Sequence, residues 1–246
     1  MRKIEYSNFS TRTGVNVPAV TAEQMKRLDE LAEDIFKLSV LQMMENAGRN
    51  LAVLVRSALE SDDDLVTVLA GSGGNGGGGL AAARHLHNRG LEIRLVLSRD
   101  RHELTGPAAA QLAALLQAGV EPIQVNAVEA AISDATVVID ALIGYSLRGA
   151  PTGRARTLIE LCNHKADHVI SLDVPSGLDA TSGNAPGVVV SPQQVLTLAL
   201  PKTGLADVET SLFLGDIGIP PELYRHLGFE LSDIFNGEYV VPLLRT

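Results

Sequence analysis

Leu65 to Gly90 reads LVTVLAGSGGNGGGGLAAARHLHNRG, and the reading of this stretch sets the architecture. The β-branched apolar run Val66, Thr67, Val68 and Leu69 predicts a buried strand, and Leu80 to Leu86 carries helix formers with apolar residues at helical spacing. Between them only Ser72 and Asn75 interrupt a loop of glycines. Without Cβ atoms such a strand-to-helix turn brings its amides close to a ligand, so an anion, above all a phosphate, is expected there. Gly71, Gly73 and Gly76 satisfy G-x-G-x-x-G in the strand-loop-helix setting where that spacing has meaning.

The chain of 246 residues carries a net charge of −9, which argues against a broad nucleic-acid surface. No linker divides it, so residues 1–246 are expected to form one domain, with 1–20 as an extended arm. There is neither a signal peptide nor an apolar run long enough for a bilayer, so no membrane association is expected. The lone Cys162 cannot make an internal disulfide, which fits a cytoplasmic location, and among Leu158, Ile159 and Leu161 it reads as a small buried hydrophobe.

Thr21 and Gln24 have capping-box spacing ahead of a helix whose apolar face is Met25, Leu28, Leu31, Ala32 and Ile35. A second helix runs from about Leu41 to Leu59, so two helices precede the first strong strand. Its MMENAG segment sets Glu45 and Asn46 beside small residues that would let another backbone approach, with Glu45 otherwise a solvated charge. After the glycine loop come strands at Ile93–Leu97, Ile123–Val125, Thr136–Leu142 and His168–Val174, alternating with helices at Pro107–Ala118, Val128–Ile132 and Thr157–Cys162. Continuous apolar strands between helices imply an α/β fold, a mostly parallel sheet covered on both faces. Val188–Val190, Val195–Leu200 and Leu212–Leu214 then predict an antiparallel or mixed edge.

In such sheets ligands lie beyond the carboxyl ends of the strands. Three ends carry polar groups: the glycine loop with Asn75, VIDALIG with Asp140, and SLDVPSG with Asp173 and Ser176. Asp140 within an apolar strand needs a partner or a cation, and each of these residues could equally serve a local turn. An amide carbonyl, a carboxylate and a hydroxyl suit a hard cation and not zinc, for which the histidines have no ligand spacing. No G-x-S-x-G elbow or Walker lysine is present.

Together MKRLD (25–29), MMENAG, GSGGNGGGG, DALIG (140–144), SLDVPSGLDATSG (171–183), LPKTGL (200–205) and GDIGIP (215–220) resemble the YjeF N-terminal domain family. The resemblance implies a Rossmann-like three-layer αβα sandwich, commonly a homodimer. It also implies interconversion of the R and S forms of NADHX and NADPHX, the reduced cofactors hydrated on the nicotinamide ring. A separate dehydratase chain would then consume the S form. By position, the family's NNGGD substrate loop falls on Gly74, Asn75, Gly76, Gly77 and Gly78, and its potassium ligands on Asn75, Asp140 and Ser176. Further substrate contacts fall on Gly144, Tyr145, Ser146, Leu147, Arg148, Gly149, Ala150 and Asp173. Asp173 is the expected acid/base, since loss and return of a hydroxyl needs proton transfer. Lys202 faces the site in the same resemblance, or is a snorkelling surface lysine.

Gly74 and Gly78 stand where the family motif has asparagine and aspartate. That departure keeps open a second reading, a catalytically impaired nucleotide-binding or interaction module on the same fold. A third, an ordinary NAD(P) dehydrogenase reading ribose through Arg99 or Asp100, explains neither the leading helices nor the other motifs.

Overall fold

Along the strand β2 (Leu65–Ala70), successive side chains go to opposite faces, and each face has its own core. The computed structural model describes residues 9–61 and 63–246. Val66, Val68 and Ala70 pack with Leu51 and Val55 of α2 (Val40–Ser57), Leu80 and Ala83 of α3 (Gly74–His87) and Leu112 of α4 (Gly106–Gln117). Leu69 packs on the other face with Ile132 of α5 (Val128–Ser133) and with Leu158 and Ile159 of α6 (Gly153–Lys165). The result is the expected sandwich.

Among the described residues eight strands form one sheet in the order β1-β8-β7-β6-β5-β4-β2-β3. β3 (Glu92–Leu97), β2, β4 (Val137–Ala141), β5 (Val169–Leu172), β6 (Gln194–Leu198) and β7 (Ser211–Gly215) are parallel. β8 (Val240–Arg245) and β1 (Phe9–Thr11) close the edge antiparallel. The chain runs from β2 out to β3 and back to β4 on the other side, so the order reverses between β2 and β4. A crevice opens at such a reversal, beyond the carboxyl ends of the two strands.

Several expectations change. The helix after β2 begins at Gly74, so Gly76 to Gly79 are buried helical residues and not loop. Tertiary packing overrides the low helix propensity of glycine here. A Cβ at Gly77 would strike Met44, at Gly79 Ala141, and at Gly48 of α2 the backbone nitrogen of Ala82. The close approach foreseen for MMENAG is thus the α2–α3 contact. Ile35 is 53% exposed, because α1 (Ala22–Asp34) has ended and Ile35 is its C-cap. Ile123–Val125 and Val188–Val190 are not strands; just before the first, Pro122 makes an isolated bridge with Leu95, and Ile123 donates to the Leu95 carbonyl at 2.9 Å.

The expected mixed edge exists, but Val195 and Leu212 lie on parallel strands, and the antiparallel part is β8 and β1. Pro242 interrupts the apolar run of β8 and weakens its strand signal. The described part of the expected arm is built into the fold. Phe9 is buried at the sheet edge, and Val20 donates to the carbonyl of Pro201 at 2.9 Å and accepts from Thr203 at 3.0 Å. Residues 1–8 lie outside the described residues.

Both leading helices carry the capping box, Thr21 with Gln24 and Ser39 with Gln42. Met25, Leu28 and Leu31 of α1 join Val195, Leu212 and Leu214 in a third core with Leu223 of α7 (Pro221–Tyr224). On α2, Asn46 donates to the carbonyl of Ile217 at 3.0 Å and Asn50 to that of Asp216 at 2.6 Å. Glu45 is not simply solvated: it accepts from Arg84 at 2.6 Å and Gln111 at 3.2 Å, with His85 at 2.8 Å, tying α2 to α3 and α4. Burial opposes its charge, yet those hydrogen bonds and the Arg84 charge hold its carboxyl below the ordinary range. Cys162 is buried, and burial pushes its thiol up, as expected of an unreactive side chain.

Candidate functional site

The carboxyl ends of β5 and β6 each finish in a tight turn with a left-handed residue at its centre. Asp173 has φ 70° inside a bond from Val174 N to the Leu172 carbonyl at 2.9 Å. Ala199 has φ 61° inside a bond from Leu200 N to the Leu198 carbonyl at 2.7 Å. Three-residue turns of this hand are rare and strained, and such strain gathers at functional positions. The first turn presents the Asp173 carboxylate, and the second redirects the chain so that Lys202 returns beneath it.

Lys202 is fully buried, which settles its position in favour of the site. Its ammonium forms an ion pair with Asp173 Oδ1, donates to the Leu198 carbonyl at 2.9 Å, and lies 5.9 Å from the centre of the Tyr145 ring. Asp173 Oδ2 accepts the backbone N–H of Tyr145 at 2.9 Å. The Tyr145 hydroxyl in turn donates to Asp29 Oδ2 at 2.5 Å. Burial raises the Asp29 carboxyl to about 6, against the opposing effects of the Tyr145 hydrogen bond and the Lys202 charge. Burial and the Asp29 charge push the Tyr145 phenol up.

These groups open into a cleft of about 320 Å³ between α1 and the strand ends. Met25, Met43 and Leu172 supply apolar wall, and Gly74, Asn75, Gly78, Gly144, Tyr145, Ser146 and Asp173 of the expected site line it. Gly144 is a glycine for lack of room: a Cβ there would stand 3.0 Å from Asp173 Oδ2 and 3.2 Å from Asn75 Cγ.

Other expected contacts lie elsewhere. Gly76 and Gly77 are packed inside α3, Leu147 is half-buried outside the lining, and Arg148, Gly149 and Ala150 are exposed away from it. Arg99 and Asp100 are exposed beyond β3, where Arg99 pairs with Glu103 at 3.2 Å.

Asp140 is fully buried beneath the cleft, and the partner it requires is protein. Oδ1 accepts from the Ser176 hydroxyl at 2.5 Å and the Leu142 amide at 3.3 Å; Oδ2 accepts from the Ser171 hydroxyl at 2.7 Å and the Ser176 amide at 2.9 Å. Burial raises its pKa and these donors oppose the rise. Ser176 also accepts from Ile143 N at 2.8 Å, next to Gly144 and thus to Asn75. Asn75 Nδ2 is buried with no hydrogen-bond partner. A carboxylate, a hydroxyl and the carbonyl oxygen of the Asn75 amide are the donor types a hard monovalent cation takes, but the unmatched Asn75 atom is the nitrogen, a hydrogen donor that gives a cation nothing, and Asp140 does not need one to be buried.

The sequence reading gave Asp29 no role. A signal existed, since Asp29 is one helical turn from Met25 and so shares its inward face.

A doubly wound sheet with a buried carboxylate–lysine pair at the carboxyl ends of β5 and β6, in a cleft that also takes residues from the ends of β2 and β4, defines a Rossmann-like α/β protein. Residues 40–204 match the family described as YjeF-related protein N-terminus, and the chain belongs to that family. It is 48% identical over 239 residues to the NAD(P)H-hydrate epimerase of Dehalogenimonas lykanthroporepellens, covering 96% of each chain. It is 33% identical to the NAD(P)H-hydrate epimerase of Rhodopirellula baltica over 86% of this chain and 88% of that one. Against the bifunctional NAD(P)H-hydrate repair enzyme Nnr of Hyperthermus butylicus, 36% identical, it covers 85% of itself but 40% of the relative. A yeast crystal structure, ynu0, shares the fold with a TM-score of 0.81 at 24% identity, over 91% of this chain and 99% of that one. No described helix is long and apolar enough to cross a membrane.

Proposed function

We infer that this chain is an NAD(P)H-hydrate epimerase, interconverting the R and S forms of NADHX and NADPHX. The observation that carries the reading is the buried Asp173–Lys202 pair facing a cleft in a chain related over nearly its whole length to proteins of that name. The cleft volume is at the small end of ligand pockets, which run from about 300 to 1,000 Å³, so it suits the hydrated ring and not a whole dinucleotide. Asp173 is the acid/base group that moves the proton as hydroxyl departs and returns. Lys202 positions it, and the Tyr145 amide orients its second oxygen. The free amides of the first turn of α3, at Gly74 and Asn75, take a phosphate of the nucleotide.

Asn75, Asp140 and Ser176 would hold a potassium ion, whose chemistry when bound is fixed positive charge under the cleft. The protein works as a homodimer in the cytoplasm, and a dehydratase activity removes the S product. The proteins named bifunctional repair enzymes, of which this chain spans less than half, favour such an activity.

One observation favours a nucleotide-binding module without catalysis: glycine at 74 and 78 in place of the motif's amide and carboxylate. Following the R to S ratio of NADPHX with and without the protein decides between them. Acceleration above the spontaneous rate supports the enzyme; nucleotide binding without acceleration supports the module.

A further inference from the structure

Inverting a carbon that loses and regains water requires chemistry on both faces of the ring. The hydroxyl leaves from one face and must be replaced from the other. Asp173 and Lys202 rise from the strand ends and serve one wall of the cleft; α1 forms the other, with Met25, Lys26, Asp29 and Glu30 along it.

Of these α1 carboxylates, Glu30 is a half-exposed surface group paired with Lys26 at 3.7 Å and Arg27 at 3.4 Å. Asp29 is different. It has no ion-pair partner among the described residues and turns inward onto the Tyr145 hydroxyl at 2.5 Å. The same tyrosine gives its backbone N–H to Asp173 at 2.9 Å. One residue therefore joins the two carboxyls and fixes their separation by its own length, and all three line the cleft. Enzymes that place a water on the face opposite a departing group also use two carboxyls held apart.

We propose that Asp29 is a second acid/base group of this cleft, serving the ring face opposite to Asp173, with Tyr145 holding the two in register. The inference rests on the epimerase reading. In one direction the C–O bond breaks with its electron pair going to oxygen, which takes a proton from the group on its own face and leaves as water, and the ring is left as a cation. A second water attacks from the other face, its oxygen forms the new C–O bond, and its proton passes to the group there. The reverse direction exchanges the two roles, so no oxidant or other reactant is consumed. The groups facing Asp29 are Tyr145 from the loop after β4, Asp173 and Lys202 from the strand ends, Glu33 on its own helix and Tyr224 on α7. Its carboxyl, at about 6, exchanges protons readily near neutrality.

The test follows oxygen as well as configuration. R-NADPHX is incubated in ¹⁸O-water with the wild type and with Asp29→Asn, and both the appearance of S and the ¹⁸O content of recovered R are measured above background. In the wild type, inversion should bring solvent oxygen into S. Asp29→Asn should slow inversion by about 10²-fold or more, while ¹⁸O exchange into R, which needs only the Asp173 face, falls less than about tenfold. Should Asp29→Asn fail to fold, Tyr145→Phe, which keeps both carboxyls but unlinks them, should also raise the ratio of exchange to inversion. Loss of exchange and inversion by the same factor would mean a structural role and overturn the proposal. So would inversion by the wild type without ¹⁸O uptake, since the hydroxyl would never have left. A wild type that does not accelerate inversion at all defeats the epimerase reading itself, a result distinguishable from both.

Discussion

Asp173 and Lys202 meet as a buried ion pair because two neighbouring strands end in the same left-handed turn, at Asp173 and at Ala199. Neither residue is near the other in sequence, and Val20 of the N-terminal segment pins the Lys202 backbone from the far side.

That pair makes stability and activity separable. Lys202→Met leaves the Asp173 carboxylate buried without its cation, and losing one partner of such a pair costs about 3–5 kcal/mol. Asp173→Asn alone keeps the shape, and asparagine tolerates φ 70°, but it strands the ammonium and should lower turnover by about 10² to 10⁴ with nucleotide affinity changed only a few fold. Combining the two substitutions should restore most of the stability measured by urea unfolding and none of the turnover. Near wild-type turnover in Asp173→Asn would remove it from the acid/base role.

Asp29 should leave a signature in the pH dependence of stability. Its carboxyl lies at about 6 in the fold against an ordinary 3.8, so between those values the native state keeps a proton that the unfolded chain has released. Stability from this group is complete below 3.8 and is lost as pH rises through about 6. Asp29→Asn is neutral throughout and still accepts from Tyr145. Relative to the wild type, its melting temperature should therefore be higher near pH 7.5 than near pH 4. An offset independent of pH would show that Asp29 has its ordinary carboxyl value.

The cation site can be tested by melting temperature alone. The wild type should melt higher in potassium chloride than in tetramethylammonium chloride, and Asn75→Ala should abolish that difference. Asp140→Ala should destabilise the protein in both salts, because it leaves the Ser171 hydroxyl, both Ser176 donors and the Leu142 amide without their acceptor. Equal melting of the wild type in the two salts argues against the site.

Restoring the family residues at 74 and 78 meets unequal obstacles. Gly74 faces open space, so Gly74→Asn should fold as well as the wild type. Gly78 is helical, without positive φ, yet a Cβ there would stand 2.7 Å from Leu172 Cδ2, and overpacking typically costs about 1–3 kcal/mol. Gly78→Asp should be destabilised in thermal melts, and Leu172→Ala beside it should relieve part of the loss. With a folded loop, Gly74→Asn together with Gly78→Asp should raise the epimerisation rate of NADPHX; an unchanged rate would mean that the missing carboxylate plays no part.

Periodicity carried much of the architecture. Continuous apolar strands, capped amphipathic helices and polar residues at strand ends are local signals, and they placed β2, β4 and β5, the leading helices, and Asn75 and Asp173 at strand ends that line one cleft. Signals that were short or self-contradictory failed: β1 has three residues, β8 contains Pro242, and the helical start of α3 is written in glycine.

By itself the sequence determined which segments bury their side chains and which strand ends carry polar groups, since burial follows from the spacing of apolar residues along one chain. Only the tertiary structure decided which of those groups meet. Lys202 could have been a solvated lysine, and becomes the partner of Asp173 because β5 and β6 are neighbours with matching end turns. Asp140 could have demanded a cation, and is matched by serines that another strand end delivers. Asp29 could have been one more helix-surface acid, and faces the cleft because α1 packs against the loop that carries Tyr145. In each case the energy of a buried charge depends on partners distant in sequence, and their distance is set only when the sheet is assembled.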